Sequence, residues 1–469
     1  MKTQLAVSGL LSVLLGAWWL MAAEPPSESM LRNAARKKFQ EGNFAEAFDA
    51  YKKLVQNPDS DPVRTAEDVP QAIQALQNLG RVDEVDGLLS GTVDAHAQHW
   101  RVLRSAAVSL QNIEHFGHVV AGEFSRGHRR GGGEFVSSAD RDHVTAVKWL
   151  LQALPLVADE PDKDAASRFY IDFAQVLRGQ SFGREAWKLQ LLTDVTELPD
   201  YEPGGRWWGG GETRGAPVDT NGEPLLYAVP ESFAAAVNDG QRWRWLLTMA
   251  KETNAKTRGE VDMEWARFLE SQFSVTTLAG YLGTSGDDED EATGPFAVHT
   301  LKDNETIARL ATGVKRFELP AEYHHLAQYR AVADSADSAW NATAADAVAS
   351  IYENRRQYVK AAAAWKASLD RFGADESRQQ RFNQIVGNWG QFEGTSVQPA
   401  GTGAELGFRF RNAQQVSLTA HAIKVTTLLD DVKAYLKGNP NQIDWQQINI
   451  GDIGYRLVTE NQTKYLGAE

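Results

Sequence analysis

Apolar residues recur at helical spacing through the first three quarters of the chain. Leu31, Ala34, Ala35 and Phe39 fall on one helical face. After Gly42–Asn43, Phe44, Ala47, Tyr51 and Leu54 fall on another. Recurrence at i, i+3, i+4 and i+7 is the signature of a helix with one buried face. The same rhythm predicts helices over Val69–Leu79 and Val82–Leu89, joined at Gly80, and from Trp100 to Leu110. It continues through Val144–Leu156, Ala165–Leu177, Arg184–Leu192, Phe233–Val237, Trp243–Lys251, Val261–Leu269, Ile307–Phe317, Glu322–Val332 and Ala345–Leu369. The period changes at Arg381–Asn412. There Leu406, Phe408 and Phe410 alternate with Glu405, Arg409 and Arg411, the period-2 pattern of a strand. Val416–Ala422 alternates similarly and predicts a hairpin partner across Asn412–Gln415. Leu428–Leu436 predicts one further helix, and apolar markers continue from Ile448 to Tyr465. The expected architecture is mainly α: a helical array followed by a small C-terminal α+β module with a β-hairpin.

The hairpin Leu31–Pro58 resembles the tetratricopeptide repeat (TPR), a helix–turn–helix unit with a period of about 34 residues. Small Ala35 and Ala47 let its two helices approach, and Phe44 and Tyr51 fill the space toward a neighbour. Ala345–Leu369 resembles a second copy, with Arg356 where the repeat usually turns on glycine. A single hairpin cannot bury its apolar face, so stacked hairpins, an α-solenoid, are expected. Three insertions interrupt the array: the basic, glycine-rich loop Phe124–Phe135, the loop Tyr201–Glu223 with Trp207–Trp208, and the acidic Gly283–Gly294.

Composition narrows the function. The chain of 469 residues carries 62 acidic and 48 basic side chains, a net charge of −14, which argues against nucleic acid as a partner. It has no cysteine, so disulfides, cysteine-ligated zinc and a thiol nucleophile are excluded. Lys2, the uncharged run Leu5–Ala23 and then Glu24–Pro26 form an export signal, with an uncleaved membrane anchor as the alternative. The expected division is residues 1–23 as signal or anchor, 24–385 as helical repeats and 386–469 as the β-containing module. An exported location, periplasmic or in the cell envelope or beyond, follows from the signal.

Candidate chemistry is sparse. The loop around Arg126, Arg129 and Arg130 could cradle an anion with guanidiniums and backbone N–H groups, but no Gly-Lys-Ser/Thr follows, which excludes a nucleotide P-loop. Trp207 and Trp208 could stack on a sugar or grip a protein. His96/His99 and His324/His325 have neighbourly spacing but no distinctive further ligands, so no metal and no cofactor are expected. Asp287, Glu289 and Glu291 read as a solvated linker rather than a calcium loop. Neither His-Glu-x-x-His nor Gly-x-Ser-x-Gly occurs. Three Asn-x-Thr sequons begin at Asn304, Asn341 and Asn461.

The stretch QIVGNWGQFEGTSVQPAGTGAELGFRFRN from Gln384, with DDVKAYLKGNP from Asp430 and DIGYRLVTENQTKYLG from Asp452, resembles the junction segment of exported bacterial α2-macroglobulin-like proteins. GVKRFELP from Gly313, GQRWRW from Gly240 and RGHRRGGGEF from Arg126 extend the resemblance over most of the chain. It implies a TPR-containing arm that precedes macroglobulin-type β-sandwich domains, and a family role in trapping endopeptidases. The thioester that some members use needs a cysteine, which this chain lacks. The expected function is therefore a non-catalytic exported scaffold, the helical arm of a truncated or split member. Its partners would be the remaining macroglobulin domains, a protease or an envelope protein. The alternatives are a stand-alone TPR adaptor and a glycan-binding or glycan-active protein using Trp207 and Trp208.

Overall fold

The computed structural model describes residues 27–179, 186–204, 215–274, 297–335, 338–394, 401, 403, 405–438 and 463–468. The chain divides into two compact units, 1–381 and 382–469. The protein is mainly helical, with small antiparallel sheets.

The first unit opens with α1 (Glu28–Gln40), α2 (Phe44–Val55), α3 (Pro62–Leu79), α4 (Val85–Ala95) and α5 (Trp100–Leu110). Local chemistry sets their ends. Ser27 accepts from the Met30 amide at the start of α1, and Asp61 caps α3 with Pro62 in its first turn. Gly80 closes α3 at φ +67°, a conformation that costs other residues roughly 1–2 kcal/mol. Ala35 and Ala47 are fully buried where α1 meets α2, and Phe39 meets Phe44 edge-on at 5.3 Å across the turn.

A sheet then interrupts the helices. Its strands are β1 (Phe116–Val120), β2 (Glu123–Arg126), β3 (Glu134–Ser137) and β4 (Glu202–Pro203), in the order β2-β1-β3-β4. Phe124–Phe135 is thus two strand ends and a seven-residue connection, where the sequence predicts a loop throughout. Alternating Phe124/Arg126 and Val136 are inward positions that the glycines between them disguise. Helices resume with α6 (Ala139–Val157), α7 (Lys163–Arg178), α8 (Asp239–Thr253) and α9 (Arg258–Phe273). Trp243, Trp265 and Phe268 pack as one aromatic nest, with ring centroids 4.6–5.8 Å apart, and Arg244 lies 3.6 Å over the Trp265 ring. Residues Phe233–Val237, expected as helix, form a turn before the Asn238 cap of α8.

Ile307–Phe317 is also not a helix. It forms the hairpin β5 (Glu305–Leu310) and β6 (Gly313–Glu318), turning at Gly313 with φ +119°. Ile307 and Phe317 are compatible with either period, and the glycine decides for the turn. The unit continues with α10 (His325–Asp334), α11 (Asn341–Asn354), α12 (Tyr358–Phe372) and α13 (Glu376–Val386). Between α11 and α12, Arg356 adopts φ +54°, where the α1–α2 turn uses Gly42 at φ +78°. One continuous core runs from Ala35 to Leu319.

In the second unit, β7 (Trp389–Phe392) pairs antiparallel with β8 (Phe408–Arg411). The predicted partner of β8, Val416–Ala422, forms no strand. The pairing instead lies within Arg381–Asn412, where Phe392 faces Phe408 at 4.9 Å. Helix α14 (Val425–Gly438) follows, and Tyr465 donates to Asp431 at 2.8 Å. Among the described residues of this unit only Leu428 and Tyr465 are buried. Residues 1–23 and Gly283–Gly294 lie outside the described residues, and so does most of Ile448–Tyr465. No described helix is long and apolar enough to cross a membrane.

Candidate interaction site

The β1–β4 sheet positions the arginines singled out in the sequence. Gly117 on β1 has no room for a side chain, because a Cβ there would meet the Ser125 carbonyl at 2.2 Å and the Phe124 ring at 2.7 Å. This close approach draws β2 inward and carries Arg126 beneath the sheet. Arg126 is 3% exposed. Its guanidinium donates to Asp86 Oδ1 at 2.6 Å, to Asp142 Oδ1 and Oδ2 at 2.9 and 2.8 Å, and to the Glu114 carbonyl at 2.6 Å. Ser138 Oγ adds a 3.1 Å contact. Arg126 is therefore no surface ligand-binding group. It ties β2 to α4 and α6.

Electrostatics agrees with that role. Burial opposes the charge on Arg126, but the hydrogen bonds it donates to Asp142 and Asp86 outweigh it and hold the guanidinium above its ordinary value. Burial likewise opposes ionisation of Asp142, yet bonds from His115 and Arg126 keep its carboxyl below the usual range. His115 Nδ1 lies 2.8 Å from Asp142 Oδ2, and Ser138 Oγ donates to the same oxygen at 2.7 Å. Serine and histidine each reach the carboxylate instead of each other. A nucleophilic serine needs the base on its own hydroxyl, so this trio lacks triad geometry.

Arg129 and Arg130 stay exposed on the connection between β2 and β3. Beside them, one sheet face presents Phe116 and Phe135 with ring centroids 5.8 Å apart, His118 at 5.3 Å from Phe135, and His128 at 4.9 Å from Phe116. Exposed guanidiniums can meet an anionic group by charge, and exposed rings a planar group by stacking. The structure thus separates the three arginines: two face solvent and the third is an internal anchor. Trp207 and Trp208 lie outside the described residues.

The two histidine pairs differ in setting. His96 is buried while His99 is exposed, and His324 stacks on His325 at 4.8 Å in the interior. No group of three or more potential ligands occurs among the described residues. A cleft of about 110 Å³ between α7, α8 and α9 is lined by Gln175, Glu260, Glu264, Arg267 and Trp340. Its carboxylates are held by arginines outside the lining. Arg168 grips Glu260 at 2.8 and 3.0 Å, Arg178 faces Glu264 at 3.2 Å, and Arg267 lies over Trp340 at 5.1 Å.

Sequence reasoning missed Asp86 and Asp142. They lie 40 and 16 residues from Arg126, and no local motif links them. It also passed over a second buried arginine, Arg355. No protein-family model matches the chain, and no curated protein matches it.

Proposed function

We propose that the chain is an exported, non-catalytic scaffold of the α2-macroglobulin-like kind. In this reading a TPR-like helical arm carries a β-containing unit that docks on a further macroglobulin-type β domain. The observation that carries the proposal is the apolar ribbon of the second unit. Trp389, Phe392 and Phe410 are 43, 48 and 52% exposed on a two-stranded pair. Two isolated strands are marginal in water, and a third strand or a packed partner is what stabilises such a ribbon. Free edges and open aromatic faces also pair readily with other strands. The arm reading is supported by the α1–α2 and α11–α12 hairpins. Both turn through one left-handed residue, and both bury small residues (Ala35 and Ala47, Ala349 and Ala361) at the helix contact. The apolar run Leu5–Ala23 supports export, and the net charge of −14 disfavours nucleic acid.

Amide exchange tests the reading. In the chain alone, Trp389–Arg411 should exchange far faster than Asn341–Phe372, and a macroglobulin-type β domain should slow it. Equal protection of the two regions without any partner would overturn the proposal and favour a stand-alone adaptor.

A further inference from the structure

Arg355 caps the C-terminus of α11 and is fully buried. Its Nη1 donates to the Lys302 carbonyl at 3.1 Å, but among the described residues Nε and Nη2 have no acceptor. Buried guanidiniums normally come with a carboxylate, because an unpaired internal charge costs several kcal/mol. The nearby carboxylates are already committed. Asp303 Oδ1 takes Lys360 Nζ at 2.8 Å. Asp303 Oδ2 takes Arg330 Nη2 at 2.8 Å and the Tyr352 hydroxyl at 3.1 Å. Glu305 is held by Arg316 at 2.6 Å. Half-exposed Arg330 and Lys360 thus take up Asp303, and Arg355 is left as the buried cation without a counter-charge among the described residues. Two more polar atoms in this region, His325 Nδ1 and Gln357 Oε1, are also buried without a partner. His324 brings no counter-charge. Its Nδ1 accepts from the Leu326 amide at 3.2 Å and its Nε2 donates to the Glu305 carbonyl at 3.2 Å, which is the neutral ring.

We infer that Arg355 is the centre of an internal site for a small monovalent anion of halide type, held by Nε and Nη2 and balancing the buried guanidinium. A water molecule could accept one of those N–H groups but would leave the buried charge unbalanced. Among the described residues, the two carboxylates near Arg355, Asp303 and Glu305, are committed to other cations. The inference is independent of the proposed scaffold role.

Thermal unfolding and halide crystallography test it together. At constant ionic strength, exchanging gluconate for bromide should raise the midpoint of the native chain by about 2–4 °C. Arg355→Met should lose that halide-specific rise, and crystals in bromide should show an anomalous peak within hydrogen-bonding distance of Arg355 Nε and Nη2. If Arg355→Met does not fold, the native midpoints and the anomalous peak decide by themselves. Water at the position overturns the site, as does an equal midpoint in both salts. A bromide peak without a midpoint difference marks an adventitious ion only and also overturns it.

Discussion

Arg126 and Arg355 are both arginines buried in the first unit, and their surroundings are opposite. Arg126 meets two carboxylates, a carbonyl and a hydroxyl, while Arg355 meets a single carbonyl. The direction of each charge follows. Arg126 is held above its ordinary value, whereas burial pulls Arg355 down to about 10, still charged at neutral pH. Burial alone therefore does not say what an internal charge does for a fold. The count of acceptors does. At Arg126 the count closes and the residue joins a sheet to two helices. At Arg355 it stays open.

The largest expected effect attacks the closed side. Arg126→Met leaves Asp142 and Asp86 facing each other without their cation, and should cost about 3–5 kcal/mol in urea unfolding. Pairing it with Asp142→Asn should recover part of that loss. If the single variant costs less than about 1 kcal/mol, the anchor reading is wrong.

Acid acts first near the open side. Burial, the main cause, holds His324 at about 4 and His325 well below its ordinary value. The unfolded chain protonates both rings near pH 6.5, whereas the folded one protonates His324 only near 4 and holds His325 neutral well below 6.5. Their contribution is therefore complete above about 6.5 and is lost as pH falls toward 4, with His324 accounting for about 3 kcal/mol. His324→Asn can keep the cap on the Leu326 amide and should flatten the fall of urea midpoint over that window. Asp142 behaves with the same sign but at lower pH, because its folded value lies below the ordinary carboxyl range.

Arg355→Met sharpens the contrast. In halide-free solution it should lie within about 1 kcal/mol of the native chain or be more stable, since an unpaired buried charge is exchanged for an apolar side chain. A loss as large as that of Arg126→Met would erase the difference between the two sites. The smallest effect is next door. Arg356→Gly should stabilise by about 0.5–1 kcal/mol, because relief of the left-handed strain exceeds the added chain entropy. Gly42→Ala should do the reverse in the α1–α2 turn, and chemical denaturation reads both.

Periodicity carried most of the helical arm. Where a single helical period holds without a glycine break, as in Trp100–Leu110 or Val261–Leu269, helix and prediction coincide. It failed elsewhere. Ile307–Phe317 mixes both periods, and Val416–Ala422 alternates but forms no strand, with Ala422 alone, among the described residues, bonding to the backbone of Gly467 and Ala468. Strand identity depends on a partner, and the partner of Phe408–Arg411 sits upstream at Trp389–Phe392. The site was less legible still. Arg126 looks like Arg129 and Arg130 in the sequence, and only the burial of β2 against α4 and α6 separates them. Sequence spacing cannot show that Asp303 is spoken for when Arg355 needs it.

The aromatic nest of the first unit has an optical consequence. Trp243 is fully buried and Trp265 nearly so, with their rings 5.7 Å apart, while Trp389 in the second unit is largely open to water. Emission from the nest should lie to the blue and resist iodide, and that from Trp389 should lie to the red and be quenched. With 14 tryptophans in the chain, the difference in emission between the native protein and Trp389→Phe isolates the ribbon, and its melting can be followed apart from that of the first unit without adding a label.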